Sequence, residues 1–354
     1  MPTKPLPSED LSHILTHARE PFIALKDANI FITGGTGFFG HWLLESLIYA
    51  NEKHTANIRA TVLTRNASAF RAKSPHIAND PTITLLEGDI LTFAFPAQPH
   101  THIVHAATDS GGQQGERKPE ELYNEILAGT QHVLDFAQHT GAKRFLYTST
   151  GAVYGRSTTL LHTPETYFET HTPQLAPYSY EAAKRAAEDL CLTTTLGPVI
   201  ARCFAFVGPH LPLDQHFAIG NFIGSTLDHR PIHIKGDGTP RRSWLYMADL
   251  SIWLWTLLAS GKPNRAYNVG SNQGMTIAEA ARVVQSALLP AITSNPFPTE
   301  VAPILIDGIP NAAAALNSYV PCIDRAHKEL NLQVRIPLEE ALRRTANWLE
   351  KYST

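Results

Sequence analysis

The sequence predicts an α/β fold: a doubly wound parallel sheet with a second, smaller α/β domain lying mostly toward the C-terminal end. Two observations predict it. Short β-branched runs alternate with helical apolar patterns through the N-terminal part of the chain. The stretch Asn29-Ile-Phe-Ile-Thr-Gly-Gly-Thr-Gly-Phe-Phe-Gly40 then passes directly into Trp42, Leu43, Leu44, Leu47 and Ile48 at helical spacing. That is a strand, a tight glycine turn and a helix start, the arrangement that a dinucleotide requires. Gly34 suits the turn's positive φ, Gly37 lets the backbone approach a pyrophosphate, and Gly40 lets the helix pack on the sheet. The helix's first N–H groups would then face the negative charge.

Composition narrows the class. A chain of 354 residues that is 43% hydrophobic can bury a sizeable core. A net charge of −3 gives no basis for nucleic-acid or membrane binding. The three cysteines (Cys191, Cys203, Cys322) suit a reducing cytoplasm better than a disulfide scaffold. No apolar run approaches the roughly 20 residues of a membrane span, and the first residues lack a signal peptide's pattern. A soluble, cytoplasmic protein is expected. Of the histidines, His100, His102 and His105 are the densest group. On a strand His105 would point away from the other two, and no metal-binding spacing occurs, so no metal site is expected.

The glycine spacing differs from G-x-G-x-x-G. Thr33-Gly-Gly-Thr-Gly-Phe-Phe-Gly40 resembles the T-G-x-x-G-x-x-G of the extended short-chain dehydrogenase/reductases, which include sugar-nucleotide epimerases and dehydratases. The resemblance covers roughly residues 28–350 and implies an NAD(P) cofactor held by Gly34, Gly37, Phe38, Phe39 and Gly40. Residues 1–27 read as a polar leader with an amphipathic segment at 11–15. The second strand, 57–64, ends at Thr64-Arg65-Asn66, where an acidic residue would meet a free ribose 2′-hydroxyl. Arg65 suits a 2′-phosphate instead, which favours NADP over NAD; the alternative is a solvated loop residue. A third strand at 82–90 ends in Gly88-Asp89-Ile90, resembling the family's adenine-contacting turn. A fourth, 101–108, brings Ala106 and Ala107, small enough for a cofactor to lie against the strand end. Residues 109–119 read as a loop, and a helix follows at about 119–138. Within it Ile126-Leu-Ala-Gly-Thr130 has isoleucine where the family often has asparagine.

The candidate catalytic group is Thr150, Tyr180 and Lys184. Tyr180 and Lys184 are four residues apart on one predicted helix and share a face, whereas Tyr178 lies off it. A phenol of pKa near 10 transfers protons poorly at neutral pH, and a nearby ammonium would favour its phenolate. Both also count among the cofactor contacts. Thr150 ends the fifth strand, and its hydroxyl would orient the substrate oxygen. Relatives that eliminate water follow this threonine with Asp-Glu, and the decarboxylases place a Glu there; this chain has Gly151-Ala152. Other acids would have to come from another loop, such as Asp109 or Glu116.

On the substrate side, Val199–Pro209 resembles R-x-x-N-x-x-G-P with Ala205 for the asparagine. Asn221, heading a helix, and Arg242 match residues that hold a nucleotide-sugar diphosphate in relatives; the alternative for Arg242 is a surface ion pair. Tyr267-Asn-Val-Gly-Ser271 resembles the return to the first domain. Ser318 and Cys322 replace an arginine and an aspartate. The implied division is residues 1–204, with a return at about 240–271, for the cofactor, and 205–239 with 272–354 for the substrate. The reading is an NAD(P)-dependent sugar-nucleotide epimerase or ketoreductase. The alternatives are a 4,6-dehydratase or decarboxylase with relocated acids, or a nicotinamide-binding protein with little turnover. A homodimer through the helices near 119–138 and 180–195 is expected, with Ala182, Ala183, Ala186 and Ala187 allowing close approach.

Overall fold

Ile30, Phe31 and Ile32 are all fully buried on β1 (Asn29–Thr33). Consecutive apolar positions of this kind mark a strand covered on both faces. β1 pairs with β2 (Arg59–Thr64) on one side, and β2 with β3 (Ile83–Glu87). On its other side come β4 (His102–His105), β5 (Arg144–Thr150), β6 (Val199–Cys203) and the edge strand Arg265–Val269. All seven strands run parallel. The order reverses between β1 and β4, so their C-terminal ends open a crevice where a ligand can lie. The computed structural model describes residues 2–107, 118–155, 160–214, 217–293, 302–309 and 316–350; Asp109 and Glu116 lie outside them.

Alternation along the strands feeds two cores. Ile30, Ile32, Val62, Val104 and Leu146 face one side with Trp42, Trp253 and Trp255. Phe31, Ile103, Phe145, Tyr147 and Ile200 face the other with Phe136 and Val133. The first side is covered by α3 (Phe38–His54) and the helix Met247–Ser260, the second by the helices Pro119–His139 and Tyr180–Leu192. Beyond β6 the chain builds smaller sheets. Arg241–Arg242 lies between Met275–Thr276 and Ser318–Tyr319, and Ile232–Ile234 pairs with Ile304–Ile306.

The leader differs from expectation. It forms α1 (Ser8–His17) and α2 (Arg19–Ala24), which bury Ile14, Ala18 and Phe22 in the first core. Leu6 N–H donates to Glu45 of α3 at 2.7 Å, and the Trp348 indole donates to the Pro5 carbonyl at 3.0 Å. Asp10 is fully buried, accepting from the Tyr246 hydroxyl at 2.6 Å and from Arg344 at 2.8 Å. Among the described residues no helix is long and apolar enough to cross a membrane.

Candidate active site

The glycine turn is dictated by backbone crowding. Gly34 has φ +74°, and a Cβ there would lie 2.6 Å from the backbone of Ala106. The buried Thr33 hydroxyl accepts from the N–H groups of Ala106 at 3.2 Å and Ala107 at 3.0 Å, which holds the β4 end against the turn. A Cβ at Gly40 would lie 2.1 Å from the Gly35 carbonyl oxygen. Gly37 is different: it is exposed, has an ordinary φ of −92°, and its Cβ would meet only the Gly34 oxygen at 3.4 Å. Nothing inside the protein requires glycine there, and its exposed backbone leaves room for a ligand to approach closely. Gly37 caps α3 without a side-chain hydrogen bond. The first-turn N–H groups, from Phe38 onward, are therefore placed for an anion. The Phe39 ring packs edge-on against Phe206, with centroids 5.2 Å apart. These features fit a dinucleotide pyrophosphate.

At the far side of the crevice Arg65 is exposed after β2. The Asn66 side chain caps the next helix at the Ala69 N–H, and the nearest strand-end acid, Glu87, accepts from the Ala67 N–H at 2.9 Å. Asp89 is exposed and turns its own loop by accepting from the Leu91 N–H at 2.9 Å. Ile90 lies against Gly129, where a Cβ would sit 3.2 Å from it. Ile126, at the family's asparagine position, packs into the second core. The clustered histidines engage threonines. His100 bonds Thr61, His102 bonds Thr101, and His105 joins the Thr33 hydroxyl at 2.8 Å to that of Thr130 at 3.1 Å. Burial holds the pKa of His105 down to about 3, so the ring is neutral.

Thr150 ends β5, buried, with its hydroxyl accepting from the Ala152 N–H at 3.2 Å. Tyr180 is the first residue of its helix, whose N-cap is Ser179. Lys184 is buried beneath it, donating to the Thr148 carbonyl at 2.6 Å with Nζ 4.3 Å over the Tyr147 ring. Burial brings the pKa of Lys184 down to about 8, and it remains mostly charged at neutral pH. Tyr180 departs from expectation. Burial raises its pKa, and Tyr319, Cys203 and Glu181 add to that. Desolvation of the phenolate thus sets the direction. Tyr178 precedes the helix at φ +57°, exposed, with its ring edge-on to Tyr123. One turn beyond Lys184, Glu188 accepts from Arg202 of β6 at 2.7 Å, which fixes the helix on the sheet.

Beyond Thr150 the wall is aromatic. A Cβ at Gly151 would lie 2.7 Å from the Phe204 ring. Phe204 in turn packs on Tyr319, with centroids 4.7 Å apart, and the Tyr319 hydroxyl stands 3.3 Å from Thr150 Oγ1. The Arg242 guanidinium lies 5.7 Å from the Tyr319 ring and donates to Asn317 Oδ1 at 3.2 Å. Asn221 does not head its helix. Ala218–Leu227 begins three residues earlier, and the Asn221 N–H is already bonded to Phe217 O at 3.0 Å. Its side chain is exposed. Thr150, Tyr319 and Arg242 thus form one connected set. Sequence reasoning missed Phe204 and Tyr319; the only signal was that Tyr319 adjoins the altered Ser318.

A glycine turn at the switch point of a parallel sheet, with threonine, tyrosine and lysine around the same crevice, defines a nicotinamide-dinucleotide enzyme of the extended short-chain dehydrogenase/reductase type. The model of the NAD dependent epimerase/dehydratase family matches residues 30–270, and the chain belongs to that family. It is 29% identical over 327 residues to UDP-glucuronic acid decarboxylase 1 of Arabidopsis thaliana, covering 91% of this chain and 70% of the relative. It is 24% identical over 333 residues to dTDP-D-glucose 4,6-dehydratase of Mus musculus, covering 91% and 88%. Among solved structures, an epimerase from Methanothermobacter thermautotrophicus superposes with a TM-score of 0.75 at 23% identity, covering 95% and 96%. A dTDP-glucose 4,6-dehydratase from Bacillus anthracis in complex with NAD gives 0.72 at 20%, covering 92% and 97%. These two show the shared fold.

Gly34 and Gly37 separate fold from ligand. Gly34→Ala should cost at least about 2 kcal/mol of stability, whereas Gly37→Ala should stay within about 1 kcal/mol. Gly37→Ala should nonetheless weaken NADH binding about tenfold or more, read by nicotinamide fluorescence titration. Undiminished NADH affinity would remove Gly37 from the pyrophosphate site.

Proposed function

We propose that this protein is an NAD(P)-dependent sugar-nucleotide epimerase or ketoreductase acting at a single carbinol or ketone carbon. The carrying observation is Gly151: the Phe204 ring occupies the space of any side chain there, so position 151 supplies no carboxyl beside Thr150, and Ala152 has none to offer. Elimination and decarboxylation need such an acid or base; exchange of one hydride and one proton does not. In this reading the glycine turn (Gly34, Gly37, Phe38, Phe39, Gly40), Arg65, Asp89, Ile90, Ala106 and Ala107 hold the cofactor. When bound, its nicotinamide accepts or returns the hydride. Thr150 orients the substrate oxygen. Tyr180, kept protonated by burial, delivers its proton to that oxygen as the carbinol forms and takes it back in the reverse direction. Lys184, charged at neutral pH, offsets the phenolate. Arg242 and Asn221 meet the diphosphate, and the halves divide at about residue 204.

A second reading is favoured by the relatives, which are named decarboxylases and dehydratases. It needs acids brought from another loop, such as Asp109 or Glu116. Incubation with UDP- and dTDP-sugars and their 4-keto derivatives, followed by NMR of the products, decides between the two. Inversion at a carbinol or reduction of a ketone is expected, and Tyr180→Phe should slow it by about 10²–10⁴-fold. A 4-keto-6-deoxy sugar, or carbon dioxide from UDP-glucuronic acid, would establish the second reading.

The cofactor preference proposed is NADP. Its support is the exposed Arg65 and the engagement of Glu87 with the Ala67 N–H. Arg65→Ala should weaken NADPH about tenfold while leaving NADH within about twofold. Equal losses would make Arg65 a solvated loop residue.

A homodimer is proposed through the helices Pro119–His139 and Tyr180–Leu192. Between them Leu127, Ala128, Ala186 and Leu190 line a shallow groove that is almost entirely apolar. Light scattering at micromolar concentration should return twice the chain's mass, and Leu190→Asp should halve it. A monomeric wild type would count against this contact.

A further inference from the structure

Tyr319 comes from the far side of the crevice, yet its position is fixed. Its strand pairs with Arg241–Arg242. On the opposite side the Thr163 N–H donates to the Val320 carbonyl at 2.9 Å, and the Cys322 N–H to the Thr163 carbonyl at 2.9 Å. Ser318 Oγ donates to the Leu161 carbonyl at 2.6 Å. The ring rests on Phe204, the residue that keeps position 151 bare. A phenol held this firmly against Thr150 constrains what that threonine can do.

A threonine hydroxyl has one proton and two lone pairs. The Ala152 N–H uses one lone pair of Thr150. Tyr319, 3.3 Å away, has two acceptors in reach: Thr150 Oγ1 and, at 3.4 Å, the Cys203 carbonyl. When the phenol donates to Thr150, both lone pairs are filled and the threonine proton has only the substrate oxygen left to serve. When it donates to Cys203 instead, Thr150 can turn its proton onto Tyr319 and away from the substrate.

We propose that Tyr319 is a positioning residue that directs the Thr150 proton at the reacting oxygen of the substrate. This rests on the carbinol/ketone reading of the site, in which Thr150 orients that oxygen. Tyr319 touches no reacting atom in this role. It acts through Thr150, and it does so from the substrate side, on the strand adjoining Arg242.

The test is Tyr319→Phe, which keeps the ring on Phe204 and beside Arg242 but removes the hydroxyl. With whichever UDP- or dTDP-sugar the wild type turns over, kcat should fall about tenfold, the value of one oriented hydrogen bond. KM and the Kd for UDP should stay within about twofold. The double variant Thr150→Val/Tyr319→Phe should be no slower than Thr150→Val alone, because the second change has nothing left to act through. Unchanged kcat in Tyr319→Phe, or additive losses in the double variant, overturns the proposal. A substrate-free arm uses protein labelled with 13C at tyrosine Cζ, with the Tyr319 resonance assigned through Tyr319→Phe. That resonance should shift in Thr150→Val, and an unmoved one overturns the contact. If the wild type turns over no sugar nucleotide, the functional reading fails, and the resonance still decides whether Tyr319 and Thr150 are joined.

Discussion

There is no room for a methyl group where β1 turns toward α3. Gly34 touches the backbone where β4 ends, and the Thr33 hydroxyl holds that backbone in place. The contact occurs where strand order reverses, so the sheet's crevice and its glycine turn share one geometric cause. Thr33 also carries the constraint inward. Through His105 it reaches Thr130 on the helix Pro119–His139, tying both neighbouring strand ends to the layer behind them. A charged imidazole could not accept a hydrogen bond, and burial keeps this one neutral. The turn, the β4 end and the helix behind them are thus joined by one run of hydrogen bonds.

The opposite wall is set by desolvation and shape. Lys184 is a buried ammonium whose hydrogen bond to Thr148 and place over the Tyr147 ring replace part of its lost hydration. Tyr180 loses water as well, and for a phenol that favours the neutral form. Phe204, meanwhile, fills the volume beside Gly151. Thr150 and Tyr319 face each other along that wall, their hydroxyl oxygens 3.3 Å apart.

What could be read from the chain alone follows from how local the physics is. Gly40 is legible because its steric demand involves Gly35, five positions away; Gly34 is legible only through the glycine spacing, because the backbone it meets is that of Ala106, across the sheet. Ala106 and Ala107 follow from smallness alone. Tyr180 and Lys184 were legible from helical spacing, but the direction of the tyrosine's pKa was not, because burial is a property of the assembled site. Tyr319 meets Thr150 across 169 residues, a contact that no periodicity encodes. Pattern puts Asn221 at a helix start, whereas Ala218–Leu227 begins three residues earlier. The leader reads as polar because its apolar residues are sparse, yet Ile14, Ala18 and Phe22 fall on one packed surface.

That leader makes the chain's two ends a single piece. Asp10 is clasped between Tyr246 and Arg344, Pro5 is capped by Trp348, and Leu6 is held by Glu45. Terminal segments usually fray independently, at little free-energy cost. Here, peeling α1 away would strand the buried Tyr246 hydroxyl and leave the half-buried Arg344 only Glu340, and loosening the helix Leu338–Glu350 would take Arg344 from the buried Asp10. Amide hydrogen exchange in α1 and in that closing helix should therefore behave as one cooperative unit.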